Sequence, residues 1–186
     1  EQRVTPYLTV RGAAAAIDFY VAAFGAVEHH RLVGDDGRIG HAEILIGDSR
    51  LALADEYPEY DVVGPDTLGG ATTAFTLAVD DADAAFAQAV AAGATVVRDV
   101  ADQFHGHRTG VVRDPFGHRW NLSSPLPGYD DEQYTRRSAA EGFTNVRASA
   151  AEPTAPVDDA PVADHQWKRY GPGDLYYFTL PVRDLA

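Results

Sequence analysis

The sequence contains no cysteine and no methionine. The first absence removes disulfides, thiolate metal centres and cysteine nucleophiles together, and it leaves the redox compartment open. The second, in a chain that opens on Glu1, is what trimming of an original start would leave. Positive charge is scarce, with 15 Lys and Arg against 28 Asp and Glu and a net charge of −13. Such a surface repels phosphate backbones and anionic bilayers, so nucleic acid and membranes are excluded as partners. No apolar run approaches the ~20 residues that span a bilayer, and no signal-peptide pattern opens the chain. A cytoplasmic location is the expectation that follows.

Hydrophobic residues make up 45% of the 186, enough to build a sizeable core in one domain with an additional tail. Val4 to Val10 mixes β-branched and aromatic residues and predicts a strand. Gly12 to Phe24 is Ala-rich, with Ile17, Tyr20, Val21 and Phe24 on one helical stripe and Gly25 as a C-terminal cap. Ala26 to Val33 reads as extended, and Gly34-Asp35-Asp36-Gly37 is a turn. Strands are expected over Arg38 to Ile46 and Ser49 to Ala54, split by Gly47-Asp48. Asp55 to Gly70 is a polar connector.

The same order then returns. Thr72 to Val79 is a strand, and Asp80 to Ala92 a helix with an acidic start and Gly93 at its end. Ala94 to Val100, Thr109 to Arg113 and His118 to Ser123 complete the set, with Asp114-Pro115-Phe116-Gly117 as a turn. Leu8-Thr9-Val10 matches Leu77-Ala78-Val79 at an offset of 69 residues. Each half is too small to bury its sheet alone, so two β-α-β-β-β units sharing one core are expected.

Beyond Pro125 the composition turns polar. Residues 127–173 read as a Pro/Ala/Asp-rich linker, with a short helix over Asp131 to Gly142 as the alternative for its first part. Phe178-Thr179-Leu180-Pro181-Val182 copies Phe75-Thr76-Leu77-Ala78-Val79 except for one residue. Residues 174–186 are therefore expected to begin a further, truncated module; a tail strand docking on its own module or on a partner chain is the alternative.

Several segments together resemble the vicinal-oxygen-chelate superfamily, which includes glyoxalases, bleomycin-resistance proteins and dioxygenases, and within it the PhnB-type branch. They are Thr5-Pro6-Tyr7-Leu8, Ala16-Ile17-Asp18-Phe19-Tyr20, Phe24-Gly25-Ala26, His41-Ala42-Glu43, Ile46-Gly47-Asp48-Ser49, and the run from Asp102 to Trp120. The resemblance covers roughly residues 3–126 and implies an α+β module over 1–126, with paired βαβββ units at about 3–54 and 72–124 forming a U-shaped mixed sheet around a cleft. It also implies that modules pair two at a time, as a homodimer or with a second module.

In metal-using members the cleft ligands are His, Gln or Glu, drawn from the first and a later strand of each unit. Matched onto this sequence those positions fall on Thr5, Glu43, Ala74 and Asn121. Only Glu43 is a strong ligand, so no metal is expected there; one divalent ion (zinc, nickel, manganese or iron) in an altered site is the alternative.

His41 and Glu43 are the candidate catalytic pair. Spaced by two on one strand, they share the face opposite Ala42, Ile44 and Ile46, and face the cleft if those apolar residues pack under the helices. Such a pair suits acid/base work, polar substrate binding or metal ligation with water. A solvent-facing pair at the sheet edge is the alternative.

Further ligand-binding candidates are Tyr7 on the first strand, His105 and Arg108 on the loop and strand after Asp102, and Arg119 and Asn121 on the last strand. His105 and His107 could join Glu43 around a metal. The five donors of Arg108 suit a carboxylate or phosphate. Alternation places Arg119, Asn121 and Ser123 on the cleft side and Trp120 in the core, while Tyr57 and Tyr60 could close the mouth. The reading that follows is a small-organic-molecule binding protein independent of metal. The competing reading is a metal-dependent lyase, isomerase or dioxygenase.

Overall fold

A computed structural model of the chain describes residues 4–144 and 146. Residues 174–186, where a further module was expected to begin, and most of the expected linker lie outside the described residues.

Two β-α-β-β-β units are present, each with a four-stranded mixed sheet. In the first, β1 (Tyr7–Val10), β2 (Val27–Val33), β3 (Ile39–Ile46) and β4 (Ser49–Asp55) are ordered β1-β4-β3-β2. In the second, β5 (Ala74–Ala78), β6 (Thr95–Asp102), β7 (His107–Arg113) and β8 (Arg119–Pro125) are ordered β5-β8-β7-β6. In both, the first strand runs parallel to the last and the other pairings are antiparallel. The two sheets share no hydrogen-bonded ladder; α1 (Ala13–Phe24) and α3 (Ala82–Ala91) pack against each other and join the units.

The helix α1 buries Ala13, Ala16, Ile17, Phe19, Tyr20 and Ala23, while Val21, expected on the buried stripe, faces solvent. Small residues at 13, 16 and 23 allow close approach to the sheet, and the stripe rotates toward them. At its N-terminus, Gly12 offers the helix no side-chain cap. Asp55, at the end of β4, accepts from the amides of Gly12 and Ala13 at 2.9 and 2.8 Å, and from Ile39 N at 2.7 Å. One tertiary carboxylate thus satisfies donors that a helix start otherwise leaves without partners. By contrast α3 is capped locally, Asp81 accepting from Asp83 N and Ala84 N.

The core lies between the helices and one face of each sheet: Leu8 and Val10 from β1, Ala42, Ile44 and Ile46 from β3, Leu51 and Leu53 from β4, and Val112, Trp120 and Leu122 from the second unit. Burying each large side chain stabilises by about 1.5–3 kcal/mol. On β7, Gly110 sits where an added Cβ would meet Phe86 of α3 at 2.6 Å. Glycine there lets the helix lie directly on the sheet.

Part of the expected linker is helical. The helix α4 (Asp131–Ala140) is capped by Asp130, which accepts from Gln133 N, so the alternative named for that stretch is the one found. Its surroundings anchor to the β6–β7 loop: Tyr129 hydroxyl donates to Phe104 O, and Phe143 stacks on Phe104. The polar connector forms a 3-10 turn over Pro58–Tyr60 and the short α2 (Pro65–Leu68), tied by the buried Glu56, which accepts from Arg11 Nε, Gly64 N and Thr67 Oγ1. No helix of the described residues is long and apolar enough to cross a membrane.

Candidate functional site on the open face of the first unit

Each sheet has one face under the helices and one open face. In β3, Ala42, Ile44 and Ile46 enter the core, and alternation therefore turns His41 and Glu43 to the open face. Tyr7 on β1 lies on that face too, its neighbours Leu8 and Val10 pointing inward. The three expected residues come together: Tyr7 hydroxyl and His41 Nδ1 are hydrogen-bonded at 2.9 Å, and His41 Nε2 stands 3.7 Å from Glu43 Oε1.

Electrostatics set the state of this pair. Burial, with the nearby Tyr57 phenol adding to it, raises Tyr7 to about 12, so the hydroxyl keeps its proton. Burial and the neighbouring His30 hold His41 below its ordinary range, against the opposing pull of Glu43. At neutral pH the imidazole is uncharged, and its hydrogen bond to Tyr7 fixes its orientation.

Arg50 on β4 donates to Glu43 Oε2 at 2.5 Å. Tyr57 is buried, roofed by the Arg38 guanidinium 3.9 Å above its ring, and its hydroxyl reaches toward Gly40. It forms one end of the open face, whereas Tyr60 is 54% exposed. Leu32 lies opposite His41 and Val27 opposite Leu45, both on the edge strand and both exposed, giving the face an apolar rim.

His29, His30 and Arg50 escaped the sequence reading. Their strands were expected, but a β-bulge determines where the histidines point. On β2, Glu28 pairs with Ile44 and His30 with Glu43, so His29 is an extra residue in the ladder. The two consecutive imidazoles gather beside Glu43, one ligand-type atom from each of the three lying within 4.8 Å of the others. His30 Nδ1 is 3.9 Å from Glu43 Oε2, and its ring centroid is 5.4 Å from that of His41. The signal available in sequence was a His-His pair on a strand next to a His-x-Glu strand.

Other expected residues lie elsewhere. Arg108 is on the helix side of β7, in step with Gly110 and Val112, and not on an open face. Its guanidinium is engaged by Asp83 at 2.5 and 2.8 Å and by Asp102 at 2.8 Å, so it braces the start of α3. Strand parity, which a loop boundary at 107 obscured, decides this. His105 and His107 sit together with ring centroids 5.5 Å apart, beside Phe104, but on the second unit; among the described residues they form no ligand group with Glu43. Arg119 and Asn121 occupy the open face of the second sheet, Asn121 Nδ2 donating to Thr76 Oγ1 at 3.4 Å. Trp120 is in the core as expected, its Nε1 donating to the buried Asp114.

The internal repeat also relocates one family position. Asn121 pairs with Thr76, and by the 69-residue offset its counterpart is Ala52, which pairs with Tyr7. Glu43 is one strand further out, pairing with Ala52 as Val111 pairs with Asn121. The repeat-related set is thus Thr5, Ala52, Ala74 and Asn121, with Thr5 preceding β1 and exposed. None of these four is a carboxylate or an imidazole.

Compared with known proteins, residues 3–122 match the Glyoxalase/Bleomycin resistance protein/Dioxygenase superfamily. An uncharacterised protein of Mycobacterium bovis is 41% identical over 145 residues, which is 76% of this chain and 95% of that protein. Among solved structures, a gene product of Arabidopsis thaliana is 28% identical with a TM-score of 0.55, over 66% of this chain and 98% of that one. The PhnB protein from Bacillus cereus, titled a putative 3-demethylubiquinone-9 3-methyltransferase, shares the fold at 18% identity and TM-score 0.53, over 66% of this chain and 99% of that one.

Proposed function

This chain belongs to the glyoxalase/bleomycin resistance protein/dioxygenase superfamily, and from that membership we propose that it binds a small organic molecule on the open face of the first unit, around Tyr7, His41 and Glu43. Binding needs no metal ion at the superfamily's ligand positions. The observation that carries this reading is the 2.9 Å hydrogen bond between Tyr7 and His41.

A protonated phenol and a neutral imidazole present a donor and an acceptor without formal charge. Beside them the Glu43–Arg50 ion pair offers charged contacts, and Leu32 and Val27 give an apolar rim. Few polar anchors in an apolar surround suit a compact molecule carrying hydroxyl, carbonyl or amide groups. Thr5, Ala52, Ala74 and Asn121 supply no ion with strong ligands, which supports binding over metal-assisted chemistry. Pairing with a second copy, which the resemblance implies, is part of the same proposal and is measured by light scattering.

The test is a thermal-shift screen of chelator-treated protein against small organic compounds, with native mass spectrometry for any copurifying molecule. A ligand that stabilises the wild type, and not Tyr7→Phe or His41→Ala, supports the reading. Binding that appears only after a divalent ion is restored overturns it in favour of a metal-dependent lyase, isomerase or dioxygenase.

A further inference from the structure

Regular strands send consecutive side chains to opposite faces, so two adjacent histidines cannot ordinarily share a ligand. Here both come within reach of one carboxylate, because the bulge at His29 inserts a residue into the edge strand β2. Bulges of this kind commonly re-aim a side chain beside a functional site. His29 and His30 meet edge to face with ring centroids 5.4 Å apart, and both stand by Glu43 on the neighbouring strand.

We propose that His29, His30 and Glu43 form a transition-metal site at the rim of the first unit's open face, taking an ion of the zinc or nickel class and leaving a coordination position toward His41. The residues differ from the repeat-related set Thr5, Ala52, Ala74 and Asn121, and the site goes beyond the binding function proposed above.

Spacing supports this assignment. Donors ~2.1 Å from a common ion sit roughly 3–3.5 Å from one another. The three ligand atoms already lie within 4.8 Å of one another, and the His30–Glu43 separation of 3.9 Å is longer than a hydrogen bond. Modest rotation of side chains on an exposed edge strand closes the difference. Arg50 holds Glu43 Oε2 at 2.5 Å and so fixes the carboxylate, as ligating carboxylates are generally held by a hydrogen bond of their own.

The donor set decides the class of ion. Two imidazoles and one carboxylate suit first-row transition metals such as zinc, nickel, cobalt or ferrous iron, whereas calcium and magnesium prefer oxygen-only shells. Three protein ligands with an open position are the arrangement of a site that can bind an exogenous oxygen or nitrogen. His41, whose ring centroid is 5.4 Å from that of His30, stands beside these ligands and is hydrogen-bonded to Tyr7.

The experiment titrates chelator-treated full chain with cobalt and then zinc, following the visible cobalt spectrum and calorimetric heats. One equivalent should bind, with paramagnetic shifts on histidine ring resonances. His29→Ala combined with His30→Ala should weaken binding by at least ~10-fold, since these imidazoles are most of the donor set. His105→Ala combined with His107→Ala should leave it unchanged. No binding to the wild type, or binding lost only with His105 and His107, overturns the proposal; so does a His29/His30 variant that is folded by circular dichroism and binds as the wild type. The small-molecule screen on metal-free protein reports separately, so one proposal can fail while the other stands.

Discussion

The Tyr20 hydroxyl donates to Asp114 Oδ2 at 2.8 Å, tying the helix of the first unit to a turn of the second across 94 residues of sequence. Asp114 is buried, and Trp120 Nε1 donates to the same oxygen while the amides of Phe116 and His118 donate to Oδ1. Burial, then the Asp114 charge, pushes the Tyr20 phenol well above its ordinary value, so it remains a donor. A hydrogen bond to a buried charge contributes about 1.5–3 kcal/mol.

Tyr20→Phe should therefore lower unfolding free energy by about 2 kcal/mol, measured by urea denaturation, because it leaves part of a buried carboxylate without its donor. An unchanged midpoint would mean that the remaining donors suffice. Asp114→Asn should lose more, since Tyr20 and Trp120 both direct hydrogens at the position of Oδ2.

His118, beside this turn, gives a pH dependence. Burial holds its folded-state affinity for protons below the ordinary histidine range, against the pull of Asp114 and Asp66. The unfolded chain then binds a proton more readily than the folded one, so stability is present above the unfolded value of ~6.5 and falls as pH drops below it. His118→Phe should flatten the stability profile between about pH 7 and 5, as followed by thermal unfolding. A variant with the wild-type slope would assign that slope to another group.

Gly110→Ala should destabilise by about 1–3 kcal/mol or more through overpacking, since the new methyl enters the space of Phe86 and Val100. The measurement is chemical denaturation, with Gly70→Ala, where an added Cβ meets nothing within 4 Å, as the control.

Arg108→Met should leave small-molecule affinity unchanged and alter only the local stability of the α3 start, read by hydrogen exchange at Asp83 and Ala84. A large loss of affinity would return Arg108 to the binding surface, contrary to its pairing with Asp83 and Asp102.

Asp55→Ala removes the partner of three amides at once. It should destabilise the chain by about 2 kcal/mol and raise exchange at Gly12, Ala13 and Ile39 together. Exchange confined to Ile39 would show that α1 is held at its start by other means.

What the sequence determined by itself is the repeat and its sidedness. Strand alternation turned His41 and Glu43 away from Ala42, Ile44 and Ile46, and placed Trp120 inward, because period-two patterning is a local property of an extended chain. The Gly25 helix end and the Asp81 cap were local in the same way. Tertiary structure decided three further matters. It gave α1 a cap from Asp55, some 42 residues away. It turned Arg108 to the helix side and spent its donors on Asp83, which only packing of α3 on β7 brings near. And it put His29 and His30 on one face, because a bulge exists only in the register between two strands, and register is a relation between segments that neither segment carries alone.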